Sequence, residues 1–313
     1  MTVAPSSVRE LHAPSLSHRV RDAAAGFWIW ALATLASRAP WLVNAVKPFF
    51  VRMAWWWSAS IREGTLANAR RILGEDSTPA ERARLGRAVL GQVYEFFAEV
   101  GRNCGRTREE MLAEVESVVG EEKLIQARST GRGAVIAVAH MGSYEVAAAA
   151  LTGRERGVHV VFKREPRGHY EKLRRQLHER LGIHEAPVDE GLGVWFRLRD
   201  RLRNNEVVLI QSDRVMPGQK GVVLPFLGGH MEFPTGPVKL ALAAGSPIVP
   251  IFALRVARAK VRIMIEDSID VEACGGPGAA LSRLASVVER YVREHPDQWL
   301  LVTPAWVEDQ ERA

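Results

Sequence analysis

His140 and Glu145, five positions apart in HMGSYE, are the residues of this chain whose types and spacing read most directly as chemistry. An imidazole that donates one ring N–H to a carboxylate is fixed in a single tautomer, and its other nitrogen is left free to take a proton. The pair reads as a general base with its orienter. Spacing alone does not decide this, because His184 and Asp189 repeat it. Their surroundings separate the two. Ala134 to Ala139 is an unbroken apolar run of strand length, His140 follows it directly, and Ser143 to Leu151 has a helical pattern. His140 is therefore expected at the carboxyl end of a buried parallel strand, with Glu145 in the first turn of the next helix. Catalytic side chains collect at that edge of an open α/β sheet. His184 and Asp189 flank Pro187 with no helix start between them, and read as structural residues.

Three more places fall at the same kind of edge. Val158 to Phe162 reads as a strand that ends in Lys163 and Arg164, so Arg164 is expected to point into the cleft of His140. The following helix, GHYEKLRRQLHERLG, carries the densest basic zone of the chain. EVVLIQS reads as another buried strand, with Asp213 and Arg214 just past its end. Thr235 and Gly236 stand where a helix should begin after FPTGP, and backbone amides at a helix N-terminus suit an oxyanion or a phosphate. PIVPIFALR and KVRIMIED read as two antiparallel strands, and a last helix runs from Ala279 to His295.

Several chemistries lack their motifs. There is no Gly-x-Ser-x-Gly elbow, no P-loop, and the early Gly131 and Gly133 precede a strand, where a dinucleotide fingerprint would follow one. Around His140 there are too few His, Asp or Glu residues for a metal site, and Cys104 and Cys274 have no metal-like spacing, so neither a metal nor a cofactor is expected. A chain of 313 residues with 47% hydrophobic and 25% charged residues can bury a sizeable core. Lys and Arg outnumber Asp and Glu by 42 to 36, and the clustered surplus favours an acidic partner such as lipid headgroups or a phosphorylated substrate. The basic zone has no interleaved aromatics, which argues against a nucleic acid.

The N-terminal region sets a second expectation. Residues 1–22 are polar and rich in Ser and Pro, and read as disordered. Residues 23–60 are apolar, yet Lys47 and Arg52 interrupt them, and Trp28, Trp30, Trp41, Trp55, Trp56 and Trp57 crowd into them. Trp interleaved with Lys and Arg is the composition of a segment that associates with a membrane. From Arg62 to Arg106 the pattern is helical, with Ser77, Thr78 and Pro79 as a helix start.

At HMGSYE the sequence meets a known family. GRGAVIAVAHMGSYEVAAAA resembles the core motif of the bacterial lipid A late acyltransferases, a branch of the lysophospholipid acyltransferase superfamily marked by His, four residues, then Asp or Glu. SDRVMPGQKGVVLPFLGGHMEFPTGPVKLALAAGSPIVPIF resembles its second block, FKREPRGHYEKLRRQLHERLG the segment between, and EHPDQWL its C-terminal signature. REGTLANARRILG and the TPAERARLGR helix are similar to its N-terminal part, so the resemblance spans about Ala25 to Trp306. It implies an α/β fold: a single domain with a mixed, largely parallel central sheet flanked by helices, plus an N-terminal hydrophobic helical region anchoring the chain to a membrane. The acyltransferase domain would occupy residues 61–308, helical over 61–115 and α/β over 116–308. The resemblance also implies transfer of a fatty acyl chain from acyl carrier protein or coenzyme A to a hydroxyl of a lipid A-like glycolipid, at the cytoplasmic face of the inner membrane and without a cofactor. His140 would be the base and Glu145 its orienter, with Arg164, Asp213 and Arg214 lining the site. The ending LVTPAWVED departs from the family pattern, which leaves lysophospholipids, mannosides and amino-acid lipids open as acceptors, and a catalytically inactive lipid-binding protein as a non-enzymatic alternative.

Overall fold

The apolar runs become the centre of a seven-stranded sheet. In this computed structural model, which describes residues 31–155, 157–164, 168–216 and 219–310, the strands are β1 (Val115–Val119), β2 (Ala134–Val138), β3 (Val158–Phe162), β4 (Ile183–Pro187), β5 (Val207–Gln211), β8 (Ile248–Ala257) and β9 (Lys260–Ile265). They lie in the order β1-β9-β8-β2-β5-β3-β4. From β8 to β4 every neighbouring pair is parallel, while β8 and β9 run antiparallel and β1 follows β9. All five residues of β2 are buried, as befits a parallel strand covered on both faces.

Alternation along the strands divides the core into two layers. Val135, Ala137, Val208, Ile210 and Ile248 point to one face, where they meet helices α8 (Leu192–Arg203), α9 (Gly236–Ala244) and α10 (Pro277–Glu294) with Trp299 and Trp306. Ala134, Ile136, Val138, Val207 and Leu209 point to the other face, toward α5 (Glu121–Arg128), α6 (Tyr144–Thr152) and α7 (Gly168–Leu181). Side chains on a strand alternate with period two, so one apolar run serves both layers. The result is a single α/β domain with a mixed, mostly parallel central sheet flanked by helices.

Three strands emerge where the sequence reading had a turn or none. VVLPF and GHMEF form a hairpin, β6 (Val222–Phe226) and β7 (Gly229–Phe233), around Leu227 and Gly228 at φ +45° and +73°. Two positive φ values make the tight turn that matches strand twist. IHEAP, where no strand was expected, is the edge strand β4, read past because it is short and carries His184 and Glu185 between apolar residues.

In the N-terminal part, α1 (Pro40–Trp57), α2 (Ala59–Leu73) and α3 (Pro79–Asn103) pack on one another. Thr78 and Glu81 form a reciprocal capping box at the start of α3, the helix start that Ser77, Thr78 and Pro79 predict. None of the described helices is long and apolar enough to cross a membrane, so a membrane-spanning form of the expected anchor has no support among the described residues. Residues 1–22 and 23–30, with Trp28 and Trp30, lie outside the described residues. In α1, Val43 and Trp55 are buried, whereas Trp41, Phe49, Trp56 and Trp57 are exposed. Trp41, Ala45, Phe49, Arg52 and Trp56 recur every three or four residues, which sets them on one outward face.

Candidate active site

The turn after β2 is held from three sides. The Leu300 amide donates to the His140 carbonyl, the Gly142 amide to the Gln298 carbonyl, and the Ser143 amide to the Ala253 carbonyl of β8. Met141 and Trp299 form an antiparallel bridge. Gly142 has φ +59°, and a Cβ there would lie 1.9 Å from the Ala253 oxygen, so no other residue fits without displacing β8. The segment EHPDQWL thus fixes the backbone that carries His140.

The partner of His140 is Asp213. His140 Nδ1 lies 2.8 Å from Asp213 Oδ1, and the His140 backbone amide donates to Oδ2 at 3.0 Å. The Trp299 indole N–H also donates to Oδ2, at 2.8 Å. Register explains the meeting. Val138 of β2 pairs with Gln211 of β5, so His140 and Asp213 each stand two residues beyond the last pair of adjacent parallel strands. Asp213 is fully buried, which by itself would raise its pKa. The His140 ring, the Trp299 indole and the His140 amide outweigh that burial and hold it below the ordinary carboxylate range. An ionised carboxylate only accepts, so Nδ1 is the ring nitrogen that donates, and in the neutral imidazole Nε2 is the one with a lone pair. The His140 side chain is 22% exposed.

Glu145, expected to orient His140, is engaged elsewhere, and this corrects the sequence reading. It opens α6, 1% exposed, and its Oε2 lies 3.2 Å from Nε2 of His178 on α7. His178 Nδ1 lies 2.9 Å from Glu185 on β4, and Arg174 donates to the same Glu185 oxygen at 3.3 Å. Burial would lower the pKa of His178, but the carboxylates of Glu145 and Glu185 raise it to about 9. Glu145, His178 and Glu185 form a buried ionic clamp between α6, α7 and β4, on the sheet face to which α6 and α7 pack. A residue in the first turn of α6 follows that helix to its face, whereas Asp213 approaches His140 within the sheet plane.

The remaining candidates share the edge in part. Arg164 follows β3, two strands from β2, and its guanidinium is held by Asp189 at 3.0 Å and by Glu190 at 2.5 Å, not by any group at His140. Arg214 is exposed directly after Asp213. Thr235 caps α9 by position without a side-chain cap bond, and a Cβ on Gly236 would lie 3.2 Å from Ile210 of β5. The start of α9 therefore sits against the strand that delivers Asp213. The second His–acid pair is not assembled, since His184 stacks on His159 at 4.9 Å while Asp189 binds Arg164. Among the described residues no group of three or more His, Cys, Asp or Glu could hold a metal ion.

Four contributors escaped sequence reasoning. Trp299 stands far along the chain from Asp213, and nothing local marks its indole as a donor. Ser143 donates its hydroxyl to Glu99, and Glu99 binds Arg255 through Nη2 at 2.6 Å and Nε at 3.1 Å. Glu99 is 3% exposed on the apolar face of α3, and an acid at such a position was the one available signal.

The family model for bacterial lipid A biosynthesis acyltransferases matches residues 19–308 of this chain. Phosphatidylinositol mannoside acyltransferases of Mycobacterium tuberculosis, strains CDC 1551 / Oshkosh and ATCC 25618 / H37Rv, are each 28% identical over 225 residues, covering 71% of this chain and 70% of theirs. The phosphatidylinositol mannoside acyltransferase of Mycolicibacterium smegmatis is 25% identical over 248 residues, covering 77% of this chain and 78% of its own.

Proposed function

Because this chain belongs to the bacterial lipid A biosynthesis acyltransferase family and is an acyltransferase, we propose that it moves a fatty acyl chain from a thioester of acyl carrier protein or coenzyme A to a hydroxyl of a membrane glycolipid, with His140 as the general base. The observation that carries this reading is the His140–Asp213 hydrogen bond, which leaves Nε2 as the acceptor nitrogen. The acceptor hydroxyl gives its proton to Nε2 as its oxygen attacks the thioester carbonyl. The tetrahedral intermediate then expels thiolate, which takes the proton back from the imidazolium. Asp213 stabilises that imidazolium without itself taking a proton. In this reading amides at Thr235 and Gly236 with the Arg214 guanidinium serve as oxyanion donors, and Arg164, farther along the same sheet edge, contacts substrate.

The reaction is proposed at the cytoplasmic face of the inner membrane, with the outward aromatic face of α1 lying in the interface. A mannosylated lipid is the more specific acceptor reading, favoured by the names of the relatives. The test is mass spectrometry of total lipids from a deletion strain complemented with the wild-type gene or with His140→Ala. A lipid that loses one acyl chain and regains it only with wild type identifies reaction and acceptor together. General-base assistance contributes about 10²–10⁴-fold. A folded His140→Ala protein with wild-type transfer would remove His140 from the mechanism.

A further inference from the structure

A cavity of about 400 Å³ lies between α1, α3 and the tip of the β8–β9 hairpin, lined by Lys47, Glu95, Glu99, Arg102 and the run from Arg255 to Val261. Its charges do not cancel. Glu95 binds both Arg102 at 2.7 Å and Lys47 at 3.4 Å, and Glu99 binds Arg255. Glu114 binds Arg106, which lines the adjoining part of the cleft. Among the described residues Arg258 and Lys260, both exposed at the hairpin tip, have no carboxylate partner. Arg255 adds a second observation: its side chain is 11% exposed, yet its Nη1 is buried without a hydrogen-bond partner. An unpaired buried donor on a charged group is costly, and an anion in the adjoining cavity would offset the surplus positive charge around it.

We propose that this cavity is a binding site for a phosphate ester, held by Arg258 and Lys260, with the Arg255 side chain lining the cavity beside them. The choice of phosphate over other anions rests on the acyl-transfer reading, since both a phosphopantetheine thioester and a phospholipid headgroup carry one. The site is wired to the catalytic turn. Glu99 joins Arg255 to the Ser143 hydroxyl, and the Arg255 backbone exchanges two hydrogen bonds with the Gln298 amide side chain, at 2.8 and 2.9 Å. Gln298 in turn accepts from the Gly142 amide and precedes Trp299, the donor to Asp213. A phosphate bound here sits one side chain away from the turn that holds His140.

The test uses the full-length protein and the double variant Arg258→Glu/Lys260→Glu, with Arg84→Glu/Arg283→Glu as a charge-matched control outside the cavity. Coenzyme A and phosphate-free pantetheine are the first probes, by titration calorimetry. Phosphatidylcholine vesicles with and without phosphatidylglycerol are the second, by cosedimentation. At least tenfold weaker coenzyme A binding in the cavity variant alone, with pantetheine unaffected, supports the site and assigns it to the donor. At least tenfold weaker binding to the anionic vesicles in the cavity variant alone supports it and assigns it to a headgroup. If the cavity variant behaves like wild type or like the control with both probes, the proposal is overturned. These are binding measurements, so absence of acyl transfer to any lipid would sink the reading of the reaction and not this site.

Discussion

At the scale of residues, the hydrogen bonds separate two carboxylates that the sequence treats alike. Asp213 holds Nδ1 of His140, and Glu145 holds His178. Asp213→Asn should therefore lower kcat by about 10²–10⁴-fold with an unchanged fold, because an amide can present a donor to Nδ1 and favour the wrong tautomer. Glu145→Gln should lower the thermal midpoint, since it leaves His178 charged, buried and short of one partner, while kcat stays within about tenfold of wild type. Breaking a buried pair from one side costs about 3–5 kcal/mol. Steady-state kinetics beside thermal unfolding decides the matter, and the reverse pattern would return Glu145 to the role of orienter. His178 also makes stability depend on pH. Its pKa is about 9 in the folded protein against an ordinary 6.5, so the folded state binds its proton more tightly. The resulting stability is fully present below about pH 6.5 and is lost as pH rises through about 9. Urea midpoints measured between those values should fall in the wild type and fall less in His178→Gln.

At the scale of elements, the site depends on backbone contacts between segments far apart in sequence. Gly142 reaches φ +59° against the Ala253 carbonyl, so Gly142→Ala combines a left-handed conformation with a direct clash. The left-handed term alone costs about 1–2 kcal/mol. Circular dichroism melts should show a clear loss of stability, and activity at a permissive temperature should fall further than the fraction unfolded accounts for, because His140 is carried by the same turn. An unaltered melt and unaltered activity would mean that the turn tolerates a second conformation. At the start of α3, by contrast, the capping box is legible from Thr78 and Glu81 alone, since a cap needs only residues within one turn of the helix.

At the scale of the molecule, α1 turns Val43 and Trp55 inward and leaves Trp41, Phe49 and Trp56 facing out. A row of exposed aromatics with Arg52 among them suits an interface between water and lipid. Replacing Trp41 and Trp56 by Ser together should weaken cosedimentation with vesicles at least several-fold and leave the melting temperature close to wild type, since neither side chain is buried. Equal cosedimentation of both proteins would remove α1 from the membrane contact.

Sequence by itself determined six of the nine described strands, most helices and the positions of His140 and Asp213 past strand ends, because these follow from local periodicity and from the chemistry of caps and turns. It also marked Arg164, Arg214, Thr235 and Gly236 as residues of the sheet edge. What only the tertiary structure decided is which of them meet. The pairing of His140 with Asp213 requires β2 and β5 to be neighbours in register, the removal of Glu145 requires α6 to lie across one face toward α7, and the support from Trp299 requires the chain's end to return to β2. Strand order and helix side are set by which apolar faces bury one another across the whole chain, and no window of neighbouring residues contains that information.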